Sequence, residues 1–307
     1  MTDLDYKLLA ALDRVVSEQS FEGAARQLHL TQSAVSQRVK LLEQRLAQPL
    51  LVRGQPPRPT EAGRRLLIHY RQVSQLESAV MAELLPDAPQ KPLGVTIATN
   101  ADSLATWLIP ALTPLLHGHP IELNLLIEDE SRTLERLRSG EAFGAISIIA
   151  APLPGCRCDP LGQMDYLLVA TPDFREHYFA DGLTRDALRR APAVAFDQKD
   201  DMHERYIAHH FGLPAGSYPC HAVRSSEAFV AIARAGAAYC LIPRLMIAED
   251  LEAGRLLELY PQGSLIQPLY WHRWLLERGI HKVLSRRLID HARTVLPAID
   301  SRGTSRV

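Results

Sequence analysis

Residues 30–44 read LTQSAVSQRVKLLEQ, and apolar and polar side chains recur along them with the period of a helix. Val35, Val39 and Leu42 are spaced by four and three residues, which places them on one face of an α-helix. Thr31 precedes this run and is a typical N-cap residue. The opposite face carries Gln32, Ser33, Ser36, Gln37 and Lys40. The stretch therefore predicts a helix that packs by one face and offers its polar face to another molecule.

Two further helices are predicted before this one. The first has an apolar face formed by Leu8, Leu12 and Val15, and the second covers about residues 21–28 and is rich in small side chains. A short helix followed by one with exposed polar side chains is typical of a helix-turn-helix, whose second helix reads base edges in the DNA major groove. A small helical bundle with a solvated polar face is the alternative.

Residues 49–63, PLLVRGQPPRPTEAG, predict a β-hairpin-like wing, because a short apolar strand leads into a tip rich in Gly and Pro. Residues 32–65 carry seven Arg or Lys against two Glu, whereas the whole chain has a formal net charge of −1. This local excess of positive charge favours DNA binding over the solvated bundle. Lys40, Arg53 and Arg58 are expected to pair with phosphates or to enter the minor groove.

Residues 60–85 predict a long helix with a dimerisation seam. Its apolar positions follow the 3.5-residue repeat of a coiled coil, although Glu77 interrupts it. The positions are Leu66, Tyr70, Val73, Val80 and Leu84. Residues 86–92, PDAPQKP, are rich in proline and polar, and therefore predict a linker.

Beyond this linker, short apolar strands alternate with helices, which predicts mostly parallel sheets with helices on both faces, built as two α/β lobes. Strands are predicted at 93–99, 121–128, 143–149, 166–171, 193–196, 221–225 and 268–273. Helices are predicted at 104–116, 132–140, 202–211, 227–235, 245–251 and 280–296. In open α/β sheets, ligands bind beyond the carboxyl ends of the strands, so a ligand site is expected between the lobes.

Polar residues that follow the predicted strands are the candidates for ligand binding. Those at 100–103 lead into a helix whose free N–H groups suit a carboxylate. The three adjacent acids at 128–130 suit an ammonium or a guanidinium. Each candidate has the plain alternative of capping a helix. The full set is Asn100, Asp102, Ser103, Glu128, Asp129, Glu130, Ser147, Asp197, His203, Ser225 and Ser226.

Other kinds of protein and site are disfavoured. The four cysteines have neither zinc-ligand spacing nor the density of a disulfide framework, and His203, His209 and His210 do not form the H-E-x-x-H zinc motif. Phosphate-loop, dinucleotide and serine-hydrolase motifs are missing. The N-terminus does not resemble a signal peptide, and no apolar run approaches the ~20 residues that span a membrane. We therefore expect a cytoplasmic protein that is not an enzyme and has no cofactor, metal or membrane partner.

The segments FEGAARQLHLTQSAVSQRVKLLEQRLAQPLLVR and PPRPTEAG closely resemble the LysR-type transcriptional regulators. Later segments resemble the branch of that family that senses basic amino acids and controls genes for their export; these are NADSLATWLIPAL, IEDESRT, AFDQKDDMH, PCHAVRSSEAFV and LYWHR. The resemblance implies an N-terminal all-α winged helix-turn-helix with a long linker helix, followed by an α/β periplasmic-binding-protein-like effector domain of two lobes.

The resemblance also implies domain limits and partners. The DNA-binding domain would cover 1–60, the linker or dimerisation helix and hinge 61–91, and the effector-binding domain 92–307. Lobe I would cover about 92–164 and 268–307, and lobe II about 165–267. The expected partners are a double-stranded DNA operator, L-lysine or L-arginine as effector, and identical chains in a dimer or tetramer, with RNA polymerase as a further candidate. The DNA-binding residues would be Thr31, Gln32, Ser33, Ser36, Gln37, Lys40, Arg53 and Arg58.

Three alternatives remain open at this point. A LysR-type regulator with a different small-molecule effector would share every pattern above. A solute-binding protein would have similar lobes, but the N-terminal module argues against it. An enzyme with an α/β core is the third alternative.

Overall fold

The computed structural model describes residues 4–52, 54–84, 92–129, 132–196 and 201–299. Its N-terminal module begins with three helices, α1 (Tyr6–Ser17), α2 (Phe21–Leu28) and α3 (Gln32–Leu46). Helix α2 ends at His29, which adopts a left-handed conformation with φ 53°, and the N–H of Leu30 donates back to the carbonyl of Ala25 at 2.9 Å. This tight turn satisfies the last carbonyls of α2 and sets α3 at an angle to it.

The core of this module is formed by one face of each helix. Val35, Val39 and Leu42 of α3 are buried against Leu9 and Leu12 of α1, among other residues. The apolar stripe predicted for α3 is therefore confirmed.

The wing is a short antiparallel pair of strands, β1 (Leu51–Val52) and β2 (Arg58–Pro59). Glu43 of α3 accepts hydrogen bonds from the N–H groups of Leu50 and Leu51, at 2.9 and 3.3 Å. Gly63 packs so closely that a Cβ atom there would lie 2.1 Å from the carbonyl oxygen of Leu50. The wing is thus held by the Glu43 carboxylate of α3 and by the close packing of Gly63 against Leu50.

Helix α4 (Glu61–Leu84) has 24 residues and is therefore about 36 Å long at 1.5 Å per residue. Its predicted apolar seam is divided between two environments. Leu66 and Tyr70 pack against the core of the N-terminal module of the same chain, whereas Val80 and Leu84 are 36% and 68% exposed. The first half of the predicted seam is therefore partly covered by the N-terminal module of the same chain, and dimerisation through α4 stays a prediction.

The remainder of the described chain contains the following elements. The strands are β3 (Leu93–Thr99), β4 (Ile121–Ile127), β5 (Gly144–Ser147), β6 (Cys156–Ala170), β7 (Ala193–Ala195), β8 (Cys220–Ala222), β9 (Cys240–Pro243), β10 (Leu257–Glu258) and β11 (Leu265–Trp274). The helices are α5 (Ala101–Ser103), α6 (Ile109–Gly118), α7 (Thr133–Arg138), α8 (Pro172–Phe179), α9 (Arg185–Arg190), α10 (Asp201–Phe211), α11 (Ser226–Arg234), α12 (Arg244–Glu252) and α13 (Gly279–Val295). A π-helical turn, Leu104–Leu108, joins α5 to α6, and a 3₁₀ turn covers Pro261–Gly263.

These elements form two lobes. Lobe I contains β3, β4 and β5 with α5, α6, α7 and α13, and lobe II contains β7 to β10 with α8 to α12. Strands β6 and β11 run antiparallel through both lobes, since β11 pairs with β5 in lobe I while β6 pairs with β9 and β10 in lobe II. The seven-stranded sheet has the order β10-β6-β11-β5-β3-β4, with β9 also on β6.

The prediction of mostly parallel sheets was wrong. The ladders β3–β4, β3–β5 and β7–β8 are parallel, but every ladder made by β6 or β11 is antiparallel. Strand β6 begins at Cys156, ten residues before its predicted start, because Pro160 and Gly162 interrupt the apolar pattern in its first half. These two shared strands connect the lobes.

Candidate functional site

The polar face of α3 is exposed, as its spacing predicted. Thr31 caps the helix by accepting a hydrogen bond from the N–H of Ala34 at 3.2 Å, and its Oγ1 lies 3.0 Å from Ser33 Oγ. The five residues of the face are all accessible: Gln32, Ser33, Ser36, Gln37 and Lys40. Amide side chains can form two hydrogen bonds with one base edge, and a lysine pairs with phosphate. The surface therefore has the chemistry of a DNA-reading helix.

The wing extends this surface. Arg58 is exposed on β2, whereas Arg53 lies outside the described residues. The acid nearest to the polar face on α3, Glu43, is engaged with the backbone at the start of the wing. Its negative charge is therefore directed to the wing backbone.

A second site lies between the lobes and is centred on Asp102. The Tyr166 hydroxyl, on β6, donates to Asp102 Oδ2 at 2.6 Å, and the Ser226 hydroxyl, at the start of α11, donates to Oδ1 at 2.5 Å. Burial raises the pKa of the Asp102 carboxyl above its usual range, while these two hydrogen bonds oppose that shift. Asp102 thus joins lobe I to a strand shared by both lobes and to a helix of lobe II.

Asn100 and Ser103 lie beside Asp102 and have unused hydrogen-bonding atoms. Asn100 is 3% exposed, and neither its amide nitrogen nor its amide oxygen has a hydrogen-bond partner in the structure. The hydroxyl of Ser103 is likewise buried without a partner. A buried polar group left unpaired costs roughly 1–3 kcal/mol. Asn100 precedes α5 but its side chain makes no capping bond, so helix capping does not explain this residue.

The cavity at this site is small and has two unlike walls. About 40 Å³ is free inside it, enough for a few water molecules at ~10–15 Å³ of probe volume each. Lobe I contributes the polar wall, and lobe II contributes an apolar wall with one hydroxyl. The lining residues are Asn100, Ala101, Asp102, Glu128, Asp129, Phe196, Met202, Ser226, Phe229 and Leu241. A larger ligand therefore requires the two walls to move apart.

The acidic cluster at 128–130 is already partly neutralised. Glu128 and Asp129 line the cavity, and Glu130 lies outside the described residues. Glu128 Oε1 accepts two hydrogen bonds from Arg136, from Nε at 2.8 Å and from Nη2 at 2.5 Å. The cluster therefore contributes less free negative charge than its sequence suggests.

The other candidates have different surroundings. Ser147 is buried at the end of β5 and accepts from the N–H of Ile149 at 3.3 Å. Ser225 caps α11 through the N–H of Ala228 at 3.2 Å, so the capping alternative accounts for it. His203 is buried away from the cavity lining, and Asp197 lies outside the described residues. Among the predicted residues, those gathered at the cavity are Asn100, Asp102, Glu128, Asp129 and Ser226.

Sequence reasoning missed Tyr166 and the apolar wall. Tyr166 stands in the apolar run YLLVA, and its hydroxyl meets a residue 64 positions earlier. Phe196, Met202 and Phe229 are ordinary core residues by pattern. A polar hydroxyl at the start of an otherwise apolar run is the single signal that points to Tyr166.

Within the part of the chain that the structure describes, no three His, Cys, Asp or Glu residues form a group able to hold a metal ion. No helix in that part is both long and apolar enough to cross a membrane.

Comparison with known proteins identifies the family. Residues 6–64 match the bacterial regulatory helix-turn-helix proteins of the lysR family, and residues 94–296 match the LysR substrate binding domain. The chain belongs to the lysR family of bacterial regulators. It is 61% identical over 296 residues to the HTH-type transcriptional regulator ArgP of Aeromonas salmonicida, covering 96% of this chain and 99% of that protein.

Two solved structures are similar over nearly the whole chain. ArgP from Mycobacterium tuberculosis is 37% identical with a TM-score of 0.84, covering 97% of this chain and 100% of the other. Full-length LysG from Corynebacterium glutamicum, solved with bound effector Arg, is 34% identical with a TM-score of 0.78, covering 96% and 100%. These relatives are transcriptional regulators, which confirms the expectation that the chain is not an enzyme, as well as the predicted fold class.

Proposed function

We propose that this chain is an ArgP-type transcriptional regulator that binds a double-stranded DNA operator and responds to L-lysine or L-arginine held between its lobes. The observation that carries the effector proposal is the buried Asp102 carboxylate beside the unpaired amide of Asn100, inside a cavity between two lobes. The similarity to a LysG solved with bound Arg supports this choice of ligand.

The two walls of the cavity suit a basic amino acid. The aliphatic stem of lysine or arginine is apolar while its end is charged. Phe196, Phe229 and Leu241 provide an apolar wall for the stem, and the carboxylates of lobe I suit the positive groups. Asn100, whose amide nitrogen and amide oxygen are both unpaired, suits the ligand's α-carboxylate or α-ammonium.

Binding would act through the hydrogen bonds of Asp102. A ligand cation would compete with the hydroxyls of Tyr166 and Ser226 for the two carboxylate oxygens. Because the cavity has only about 40 Å³ of free space, we propose that the ligand-bound state has a different separation of the lobes. The ligand then favours the lobe arrangement that it binds more tightly.

For DNA, we propose that two chains place their α3 helices in successive major grooves, roughly 34 Å apart, on a pseudo-palindromic site. The proposed DNA-binding residues are Thr31, Gln32, Ser33, Ser36, Gln37 and Lys40 of the recognition helix, with Arg53 and Arg58 of the wing. The exposed end of α4, with Val80 and Leu84, is the proposed dimerisation surface. The proposed location is the cytoplasm, where the DNA lies, and RNA polymerase is a further proposed partner.

The domain limits inferred from the sequence remain a proposal: 1–60, 61–91 and 92–307. A regulator of the same family with a different small-molecule effector is the second candidate, because Glu128 is already paired with Arg136 and so leaves the cavity less acidic.

Calorimetric titration of L-lysine and L-arginine distinguishes a regulator that binds a basic amino acid from one with a different effector. We expect Asp102→Asn to weaken binding by ~10-fold or more, because a charge-assisted hydrogen bond contributes about 1.5–3 kcal/mol. Asp181→Asn is the matched control, since Asp181 is exposed on another part of the surface. Unchanged affinity in Asp102→Asn would remove Asp102 from the site, and absence of binding by the wild-type protein would exclude both amino acids.

A further inference from the structure

Arg136, on α7, contacts two carboxylates in different places. It donates to Glu128, which lines the cavity between the lobes, at 2.8 and 2.5 Å, and through Nη1 to Glu141, outside the cavity, at 2.7 Å. Both bonds to Glu128 end on the same oxygen, Oε1. One guanidinium therefore connects the cavity wall to the turn that follows α7.

That turn is built around the backbone of Arg136. The carbonyl of Arg136 accepts from the N–H groups of Glu141 and Ala142, both at 3.0 Å, and from the hydroxyl of Ser139 at 3.1 Å. Ser139 Oγ also lies 3.1 Å from Glu141 Oε1, so its single hydroxyl hydrogen is shared between these two acceptors. The turn of residues 139–142 is therefore bonded to Arg136 twice, to its backbone carbonyl and, through the Glu141 carboxylate, to its guanidinium.

The same turn lies against the linker helix. Gly140 has φ +72°, and a Cβ atom there would lie 3.0 Å from Ile68 Cγ1 and 3.2 Å from Ile68 Cα, so the two backbones are very close. Leu67, the neighbour of Ile68 on α4, is buried in the core of the DNA-binding module. Adjacent residues of one helix thus contact the effector domain on one side and the DNA-binding core on the other.

We propose that Arg136 is a positioning residue that couples ligand binding in the cavity to α4 and hence to the DNA-binding module. This proposal rests on the function proposed above. A cationic ligand near Glu128 competes with Arg136 for the Glu128 carboxylate, while the ion pair between Glu141 and the guanidinium remains. The turn at 139–142 then shifts against Ile68, because Glu141 of that turn is bonded to the guanidinium that moves.

The test measures how much the ligand changes the affinity for DNA, in addition to the affinity for the ligand itself. An operator duplex is first selected by the wild-type protein from a random-sequence pool. Its affinity is then measured by fluorescence anisotropy with and without saturating L-lysine or L-arginine, and ligand affinity is measured by calorimetry. Coupling between two sites is typically about 5- to 150-fold. We expect Arg136→Gln to reduce the coupling to about onefold while the ligand still binds.

Two further variants exclude a merely structural effect. Glu141→Gln removes the ion pair between Arg136 and Glu141, which lies outside the cavity, so it should reduce coupling without changing ligand affinity. Arg136→Lys keeps the charge, but its single ammonium cannot reproduce the fork that joins both carboxylates, so its coupling should be intermediate. Arg138→Gln, an exposed arginine on the same helix, is the matched control and should keep full coupling.

The outcomes separate the two proposals. Full coupling in both Arg136→Gln and Glu141→Gln would overturn the role of Arg136 and leave the proposed function standing. Loss of ligand binding in Glu141→Gln would also overturn it, since the ion pair between Arg136 and Glu141 would then serve binding rather than coupling. A wild-type protein that binds neither amino acid would overturn the proposed function and the coupling with it.

Discussion

Ser226 donates a hydrogen bond of 2.5 Å to the carboxylate of Asp102, and this bond joins the start of α11 in lobe II to the helical segment after β3 in lobe I. The two residues are 124 positions apart in the chain. Tyr166 completes the arrangement from β6, a strand that both lobes share. The carboxylate of Asp102 is therefore held by the elements whose relative movement would open the cavity.

This arrangement predicts that Asp102 lowers the stability of the folded protein at neutral pH. Its pKa is raised by burial, so the folded state binds a proton more tightly than the unfolded chain does. Stability from this group is therefore lost as the pH rises from the usual pKa of an aspartate through the raised value. Asp102→Asn keeps a hydrogen-bonding group there without the charge. We expect it to increase the free energy of unfolding at pH 7, although it should weaken ligand binding.

Urea unfolding at pH 7 measures this effect, with Asp181→Asn as the control at an exposed acid. A loss of stability in Asp102→Asn would contradict the prediction, since the charge of Asp102 would then stabilise the fold.

The second prediction concerns a substitution of Gly63, which packs against the wing. In a helix interior, alanine is normally about 1 kcal/mol more favourable than glycine. At Gly63, however, a Cβ atom would lie 2.1 Å from the backbone oxygen of Leu50, and backbone cannot rotate away as a side chain does. We expect Gly63→Ala to destabilise the N-terminal module by about 1–3 kcal/mol, the usual cost of overpacking. It should also weaken operator binding, because the wing must move.

Thermal unfolding and operator titration measure these effects. Gly94→Ala is the matched control, since nothing lies within 4 Å of a Cβ atom there. Equal behaviour of the two variants would contradict the close contact between α4 and the wing.

The DNA-binding module could be predicted because its helices are determined by residues that lie close together in the sequence. The period of Val35, Val39 and Leu42 determines which face of α3 is buried, and the exposed face follows from it. Asp102 and Ser226 were also found, because each follows a strand. What could not be read from the sequence was their mutual hydrogen bond, which depends on how the two lobes meet.

Two further features were not predicted, because they also depend on the tertiary structure. The pairing of Glu128 with Arg136 depends on the orientation of α7, so three adjacent acids appeared more negative than they are. The first half of β6 was missed because Asp159, Pro160 and Gly162 are poor strand residues. That segment is extended because it pairs with β11 over its whole length.

His203 predicts a pH dependence of stability. Its ring is buried near the rings of Tyr218 and Tyr239, with centroid distances of 5.8 and 5.7 Å, and burial lowers its pKa from 6.5 to about 4. The unfolded chain therefore binds a proton more readily, and stability is lost as the pH falls from 6.5 towards 4. At pH 5 the cost is about 2 kcal/mol, at ~1.36 kcal/mol for each pH unit below 6.5.

His203→Phe should remove this part of the acid sensitivity while it keeps an aromatic ring at the position. Urea unfolding at pH 7 and pH 5 gives the difference for each protein. His281→Phe is a useful comparison, because burial lowers the pKa of His281 to about 4 as well. An acid sensitivity equal to that of the wild-type protein in His203→Phe would show that His203 is already charged in the folded state.

The face of α3 predicts two separable effects on DNA binding. Gln37 is exposed on this face, and an amide that pairs with a base edge contributes ~1–3 kcal/mol of discrimination. Gln37→Ala and Ser33→Ala should therefore weaken cognate binding more than non-specific binding. Lys40 is expected to pair with a phosphate, so Lys40→Ala should weaken both and reduce the slope of log affinity against log salt by ~0.9.

Titrations of cognate and random duplexes at several salt concentrations distinguish these effects. Lys282→Ala is the control, because Lys282 is an exposed lysine on α13 in the effector domain, and its salt slope should match that of the wild-type protein. If Gln37→Ala weakened both duplexes equally, α3 would contact the DNA backbone without reading bases. If Lys40→Ala left the salt slope unchanged, the phosphate contacts would have to come from the wing, where Arg58 is exposed.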